Sequence, residues 1–133
     1  SSIRKYNIIF LYSLIYIMEE YKCKVSEETR IQECSRILNK HPDRIPIIVC
    51  KDKRSTTLQD IDKQKYLVPK DMHLGQFIYV IRKRIKLKPE QALFILINNN
   101  LVPGNKQLQE IYESNKDKDG FLYMTYSSEN TFG

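Results

Sequence analysis

The chain has 133 residues, 41% of them apolar and 29% charged, with a formal net charge of +6 and few glycines or prolines. These totals suit one globular domain with a core of its own and exclude low-complexity and collagen-like chains. The positive balance points to an acidic partner, but no RNP-type aromatic signature, zinc-finger spacing or continuous basic helix directs it to nucleic acid.

The chain opens on "SSIRKYNIIFLYSLIYIMEE", in which residues 6–18 are almost wholly apolar or aromatic. That run is shorter than the ~20 residues of a membrane-crossing helix. It has the basic start and apolar centre of a secretory signal but no small-residue cleavage site. Three readings stand: an element packed on the domain, an interfacial membrane element, or residues placed ahead of a start at Met18. Packing or partner contact is the expectation for this extension, residues 1–20.

From Ser26 the pattern is that of a folded domain. Ser26 caps a helix whose first turn holds Glu27 and Glu28, and Ile31, Cys34, Ile37 and Leu38 fall on one face at helical spacing. "KHPDR" ends it, because proline disfavours helix in the residue before it. "IPIIVC" (45–50) reads as a central strand and "KQKYLVP" (63–69) as a second, separated by a polar turn region. "DMHLGQFIYVIRKRIKL" places Leu74, Phe77, Val80, Ile81 and Ile85 on one helical face, with Arg82, Lys83 and Arg84 at the end that favours cations. "ALFILIN" (92–98) is a buried strand before an Asn-rich turn, Leu108, Ile111 and Tyr112 mark a short helix, and "FLYMTYS" (121–127) is a last strand.

Cys23, Cys34 and Cys50 are odd in number and lack CxxC spacing, so a reducing cytosol fits better than a disulfide framework. With His41 and His73 they form no metal-ligand spacing. Cys34 lies seven residues before His41, which raises a nucleophile reading. Cys34 sits on an apolar helical face and His41 at a His-Pro stop, so a buried structural thiol is the simpler account.

Two hairpin-compatible strands, a crossing helix and two further strands give an α+β class: a ubiquitin-like β-grasp with a four-stranded mixed sheet around a central helix and an added N-terminal helical segment. The domain is placed at residues 21–127 and a polar tail at 128–133, ending in Gly133. A terminal glycine in an unanchored tail has a chemical use. Without a Cβ it can thread a narrow channel and be activated as an acyl group.

"HPDRIPIIV", "DKQKYLVP", "GQFIYVIRKRIKL", "QALFILINN" and "DGFLYMTYSSENTFG" closely resemble the GABARAP and microtubule-associated protein light-chain modifiers of autophagy, in order, from about Glu20 to Gly133. The resemblance implies a precursor trimmed after Gly133 by a cysteine protease. Activating and conjugating enzymes then join that glycine to phosphatidylethanolamine on the autophagosome membrane. Phe132 stands at the family's aromatic position before the glycine. On this reading the protein is a substrate without catalytic groups or cofactor, cytoplasmic until it is lipidated.

The resemblance also implies docking of cargo receptors through aromatic-x-x-aliphatic motifs with acidic flanks. A strand such as "KQKYLVP" at a sheet edge has backbone groups free to accept an added strand, and alternation sends Lys63, Lys65 and Leu67 to one side and Gln64, Tyr66 and Val68 to the other. By resemblance, the aromatic pocket maps to Glu33, Ile37, Pro46, Ile48, Lys65, Leu67 and Phe121. The aliphatic pocket maps to Tyr66, Val68, Pro69, Met72, Phe77, Val80 and Ile81, and Arg44, Lys63 and Arg84 would meet acidic flanks. Residue type alone would assign the apolar members to the core and the basic ones to a solvated face. Cys50 replaces an acidic residue common in the family, Met72 a leucine, and the extension replaces a polar helix. "YNII" and "YSLI" within the extension themselves match the motif, which raises self-association through the groove. Two other readings stay open: a β-grasp interaction domain that is never conjugated, and a small basic nucleic-acid binder.

Overall fold

Helix, strand and turn begin where the local chemistry demands them. The computed structural model describes residues 20–128; the extension with "YNII" and "YSLI", and the end of the tail with Gly133, lie outside the described residues. Helix α1 (Glu20–Lys24) is short and leads into α2 (Glu27–Lys40). The Ser26 hydroxyl accepts from the Thr29 amide at 3.2 Å, satisfying a donor that the first helical turn leaves unpaired. At the other end the His41 amide donates to the Ile37 carbonyl at 2.8 Å, directly before Pro42 stops the helix.

Five strands follow: β1 (Arg44–Lys51), β2 (Lys65–Pro69), β3 (Phe94–Ile97), β4 (Asn100–Leu101) and β5 (Leu122–Ser127). Their spatial order is β2-β1-β5-β3-β4, with β1 and β5 parallel at the centre and the remaining pairs antiparallel. The sheet thus has one strand more than the four expected, because the Asn-rich turn closes a hairpin. Asn98 and Asn99 take φ of 51° and 64°, the paired positive values of a type I′ turn, which asparagine tolerates better than most residues. The second strand also begins later than expected, at Lys65, although the Val49 amide still donates to the Gln64 carbonyl at 2.8 Å.

Helix α3 (Leu74–Arg84) crosses one face of the sheet, and α4 (Leu108–Asn115) adds Leu108 and Ile111 to the core on that same face. Six consecutive residues of β1 are buried because both sheet faces are covered. Ile47 and Val49 pack with Phe77 and Ile81 of α3, while Ile48 and Cys50 pack with Tyr21, Cys34 and Phe121 on the side of α1 and α2. Pro46 is tolerated in this central strand because the β5 ladder starts one residue later, at Ile47.

A polar cluster fastens the N-terminal helices to the loop before β5. Asp119, 3% exposed, accepts from the Arg30 guanidinium at 2.6 Å, the Tyr123 hydroxyl at 2.5 Å and the Phe121 amide at 2.8 Å. Arg30 also donates to the Val25 carbonyl at 3.1 Å, and Lys22 pairs with Asp117. Burial and the hydrogen bond to Asp119 push the Tyr123 phenol far above its ordinary pKa. Gly120 completes the turn at φ 96°, where a Cβ would lie 2.6 Å from the Cys34 sulfur.

Candidate functional site

β2 is the border strand of the sheet, so only one of its long sides is paired among the described residues. The Val49–Gln64 bond fixes which groups face outward. Antiparallel pairs alternate between bonded and non-bonded, so Tyr66 and Val68 direct their main-chain groups to β1 while Lys65 and Leu67 direct theirs away from the sheet. The Arg44 guanidinium already touches the Leu67 carbonyl at 3.4 Å. A main-chain template of this kind accepts an extended peptide as one more strand.

The side chains of β2 divide as alternation requires, Tyr66 and Val68 buried, Lys65 exposed and Leu67 half-buried. Around Lys65 and Leu67 the structure brings together the residues mapped to the aromatic pocket. Pro46 lies across from Leu67 and Ile48 across from Lys65. Ile48 and Phe121 share one buried cluster, against which Ile37 packs from α2. Lys65 Nζ reaches Glu33 Oε1 at 2.5 Å across the entrance. Ile48 and Phe121 are buried outright, so they form the floor, and Leu67, Ile37, Lys65 and Glu33 form the accessible rim.

Tyr21, buried in the same cluster as Ile48 and Phe121, belongs to this floor although sequence reasoning did not select it. Its ring stands edge-on to Phe121 at 6.3 Å and under Lys65 Nζ at 5.2 Å, and its hydroxyl donates to Glu33 at 3.4 Å. Partial burial pulls the Lys65 pKa down, but the bonds to Glu33 and Tyr21 outweigh it and hold the ammonium above its ordinary value. The only signal in the sequence was an aromatic in an otherwise charged "EEYKCK".

On the opposite face, the residues mapped to the aliphatic pocket also gather, at unequal depth. Tyr66, Val68, Phe77 and Ile81 belong to the main core, and Met72 and Val80 pack against it half-buried. The Pro69 carbonyl accepts from the Met72 amide at 3.2 Å, which sets Met72 at the exit of β2. Phe77 and Ile81 have no exposure, so they back the wall and Pro69, Met72 and Val80 carry the surface. The Tyr66 ring meets Phe77 edge-on at 5.3 Å, and its hydroxyl is buried without a hydrogen-bond partner. Of the basic residues, Lys63 Nζ stands 5.2 Å from the Tyr66 ring and Arg84 pairs with Asp62 at 3.3 Å. Arg44, Lys63 and Arg84 therefore surround β2, each with a contact that an acidic ligand would have to exchange.

This architecture has close counterparts among known proteins. The profile of the family described as "Autophagy protein Atg8 ubiquitin like" matches residues 29–133. The chain belongs to the Atg8 family of ubiquitin-like autophagy proteins. It is 58% identical over 113 residues to autophagy-related protein 8B of Oryza sativa subsp. indica, covering 85% of this chain and 94% of that protein. Autophagy-related protein 8a of Arabidopsis thaliana is 58% identical over 106 residues, covering 80% and 86%. The crystal structure of Trypanosoma brucei ATG8 superposes with a TM-score of 0.78 at 44% identity, covering 85% of this chain and 97% of that one. The α+β, ubiquitin-like reading of the sequence is thereby established, and the five-stranded sheet is the form it takes in this Atg8-family chain.

Proposed function

We propose that the protein is a lipid-conjugated modifier that gathers cargo receptors on autophagosomal membranes. The observation that carries the docking half is the border strand β2, whose Lys65 and Leu67 amides face outward between an aromatic-lined rim and an aliphatic one. An aromatic-x-x-aliphatic peptide laid along β2 would place its aromatic near Leu67, Ile37 and Lys65 and its aliphatic residue near Met72, Pro69 and Val80. Its acidic flanks would meet Arg44, Lys63 and Arg84. Burial of two apolar anchors supplies most of the affinity, and the basic residues tune association rate and selectivity.

The conjugation half rests on family membership and on Gly133. A cysteine protease exposes that glycine. Activating and conjugating enzymes carry it through an acyl-adenylate and thioesters to the amine of phosphatidylethanolamine. The protein supplies the acyl group and no catalytic side chain.

Incubating the protein with the activating and conjugating enzymes, ATP and phosphatidylethanolamine vesicles tests this directly. The expected result is a faster-migrating lipidated band that Gly133→Ala abolishes. Conjugation that survives the substitution would overturn the assignment of Gly133. Peptide docking without any conjugation would instead identify a β-grasp interaction domain.

A further inference from the structure

We propose that the solvent face of α3 and the loop after it form a second contact surface, one that lies on an anionic lipid bilayer. Tyr79 is 59% exposed, the greatest exposure among the large hydrophobic side chains described, and Lys83 Nζ stands 4.6 Å from its ring. A shallow cleft of about 550 Å³ runs beside it, lined by Tyr79, Arg82, Lys83, Lys86, Leu87 and Pro89. Residues 82–88 read RKRIKLK, without a carboxylate, and among the described residues only Arg84 of this run has an ion pair, with Asp62. Arg82 donates to the carbonyls of Lys88 at 3.0 Å and Pro89 at 3.5 Å, which folds the loop back against the helix, and Lys86 lines the same cleft as Lys83.

The surface is distinct from the β2 border. Val80 and Arg82 are ~200° apart around the helix axis. Val80 flanks the aliphatic rim; Tyr79 lies ~100° round from it, so the cleft opens on the solvent side of the helix, with Lys83, ~60° from Val80, at its edge nearest β2. The chain then runs from this loop into β3, on the other side of the central strand pair from β2.

The groups on offer select the ligand class. The main-chain amides of α3 are spent inside the helix and the Arg82 guanidinium on loop carbonyls, so no border comparable to β2 awaits a peptide. What remains is a set of long-stemmed lysines around an exposed tyrosine and the half-buried Leu87. Lysine is a hydrated point charge on a jointed stem, and tyrosine has an apolar body with a polar tip. That pairing suits a plane of phosphate headgroups, with the ring seated at headgroup depth. Each such cation contributes about fivefold to partitioning onto an anionic bilayer.

The test uses the full, unconjugated chain, so its outcome is independent of the Gly133 reading. Sedimentation with phosphatidylcholine vesicles, with and without phosphatidylserine, is compared for wild type, a triple Lys83→Gln, Lys86→Gln, Lys88→Gln variant, and a triple Lys40→Gln, Lys106→Gln, Lys118→Gln variant of equal net charge. The first variant is expected to lose roughly a hundredfold in partitioning onto the phosphatidylserine vesicles, and the second at most a few-fold. Equal losses would mean that net charge alone acts, and the assignment falls. The chain has no tryptophan, so Tyr79→Trp gives a single reporter. Its emission is expected to shift to the blue on phosphatidylserine vesicles only. An unshifted spectrum on bound protein overturns the proposal. So does displacement from the vesicles by short RNA that shields the same reporter from quencher equally well, which would make the face a nucleic-acid site.

Discussion

At the scale of single residues, Leu67 and Lys65 are neighbours on one strand with opposite physical roles. Leu67 is half-buried beside Pro46 and gains what remains of its burial when a peptide covers it. Lys65 spends its charge on Glu33 in a partly solvated pair, the kind that contributes about 0–1 kcal/mol. In a titration with one aromatic-x-x-aliphatic peptide at moderate salt, Leu67→Ala is expected to weaken binding by more than about 1 kcal/mol, the level of an interface anchor. Lys65→Ala is expected to change it less, because the lost cation also frees Glu33 and opens the rim. A larger loss for Lys65→Ala would show that charge, and not apolar burial, carries recognition.

At the scale of elements, α2 and the loop before β5 act as one unit, and Gly120 is where they touch. Gly120 combines a φ of 96° with a missing Cβ that would lie 2.6 Å from Cys34 Sγ. Gly120→Ala therefore carries a backbone cost and a packing cost, together about 1–3 kcal/mol of stability. Only the packing cost depends on the sulfur. In denaturant unfolding, Gly120→Ala is expected to cost less in a Cys34→Ala background than in wild type, with a coupling of about 0.5–1.5 kcal/mol. Strict additivity would place the whole cost in the backbone. The same elements show what the sequence made legible. The Ser26 cap, the apolar face of α3 and the unbroken apolar run of β1 are local patterns, and each element formed where its pattern predicted. The hairpin of β4 was missed because its two residues carry no period, and only the positive φ of Asn98 and Asn99 betrays it. Tyr21 and the Arg30–Asp119 pair were missed for another reason. Arg30 and Asp119 are 89 residues apart and Tyr21 meets Phe121 from the opposite end of the domain sequence, and nothing in a local window signals a partner at that distance.

At the scale of the whole molecule, buried ionisable groups set the range of pH over which the fold holds. Asp52, 1% exposed, accepts from the Arg54 side chain at 2.7 Å and the Arg54 amide at 3.0 Å, while its own amide donates to the Tyr126 carbonyl at 2.9 Å. Burial pushes its pKa up, but the Arg54 bonds outweigh that and hold the carboxyl below its ordinary 3.8. Asp117, partly buried, is lowered in the same way by Lys22 and the Asp119 amide. A carboxyl lowered on folding lends stability above its unfolded pKa and loses it as pH falls through the folded one. The acid limb of unfolding is therefore expected to begin just below 3.8. On the alkaline side, burial raises the Tyr112 phenol from 10.0 to about 12 and the Cys34 thiol from 9.0 to about 11. A group raised on folding lends stability that is complete below its unfolded pKa and declines as pH rises through the folded one, so this limb begins near pH 9 to 10. Thermal midpoints of wild type, Asp52→Asn and Tyr112→Phe across acid and alkaline pH separate the two limbs. Asp52→Asn is expected to lower the plateau and flatten the acid limb alone. Tyr112→Phe, which loses the 2.6 Å bond to the Gly120 carbonyl, is expected to lower the plateau and flatten the alkaline limb alone. An acid limb of unchanged slope in Asp52→Asn would mean that the link between the loop after β1 and the end of β5 does not depend on the charge of Asp52.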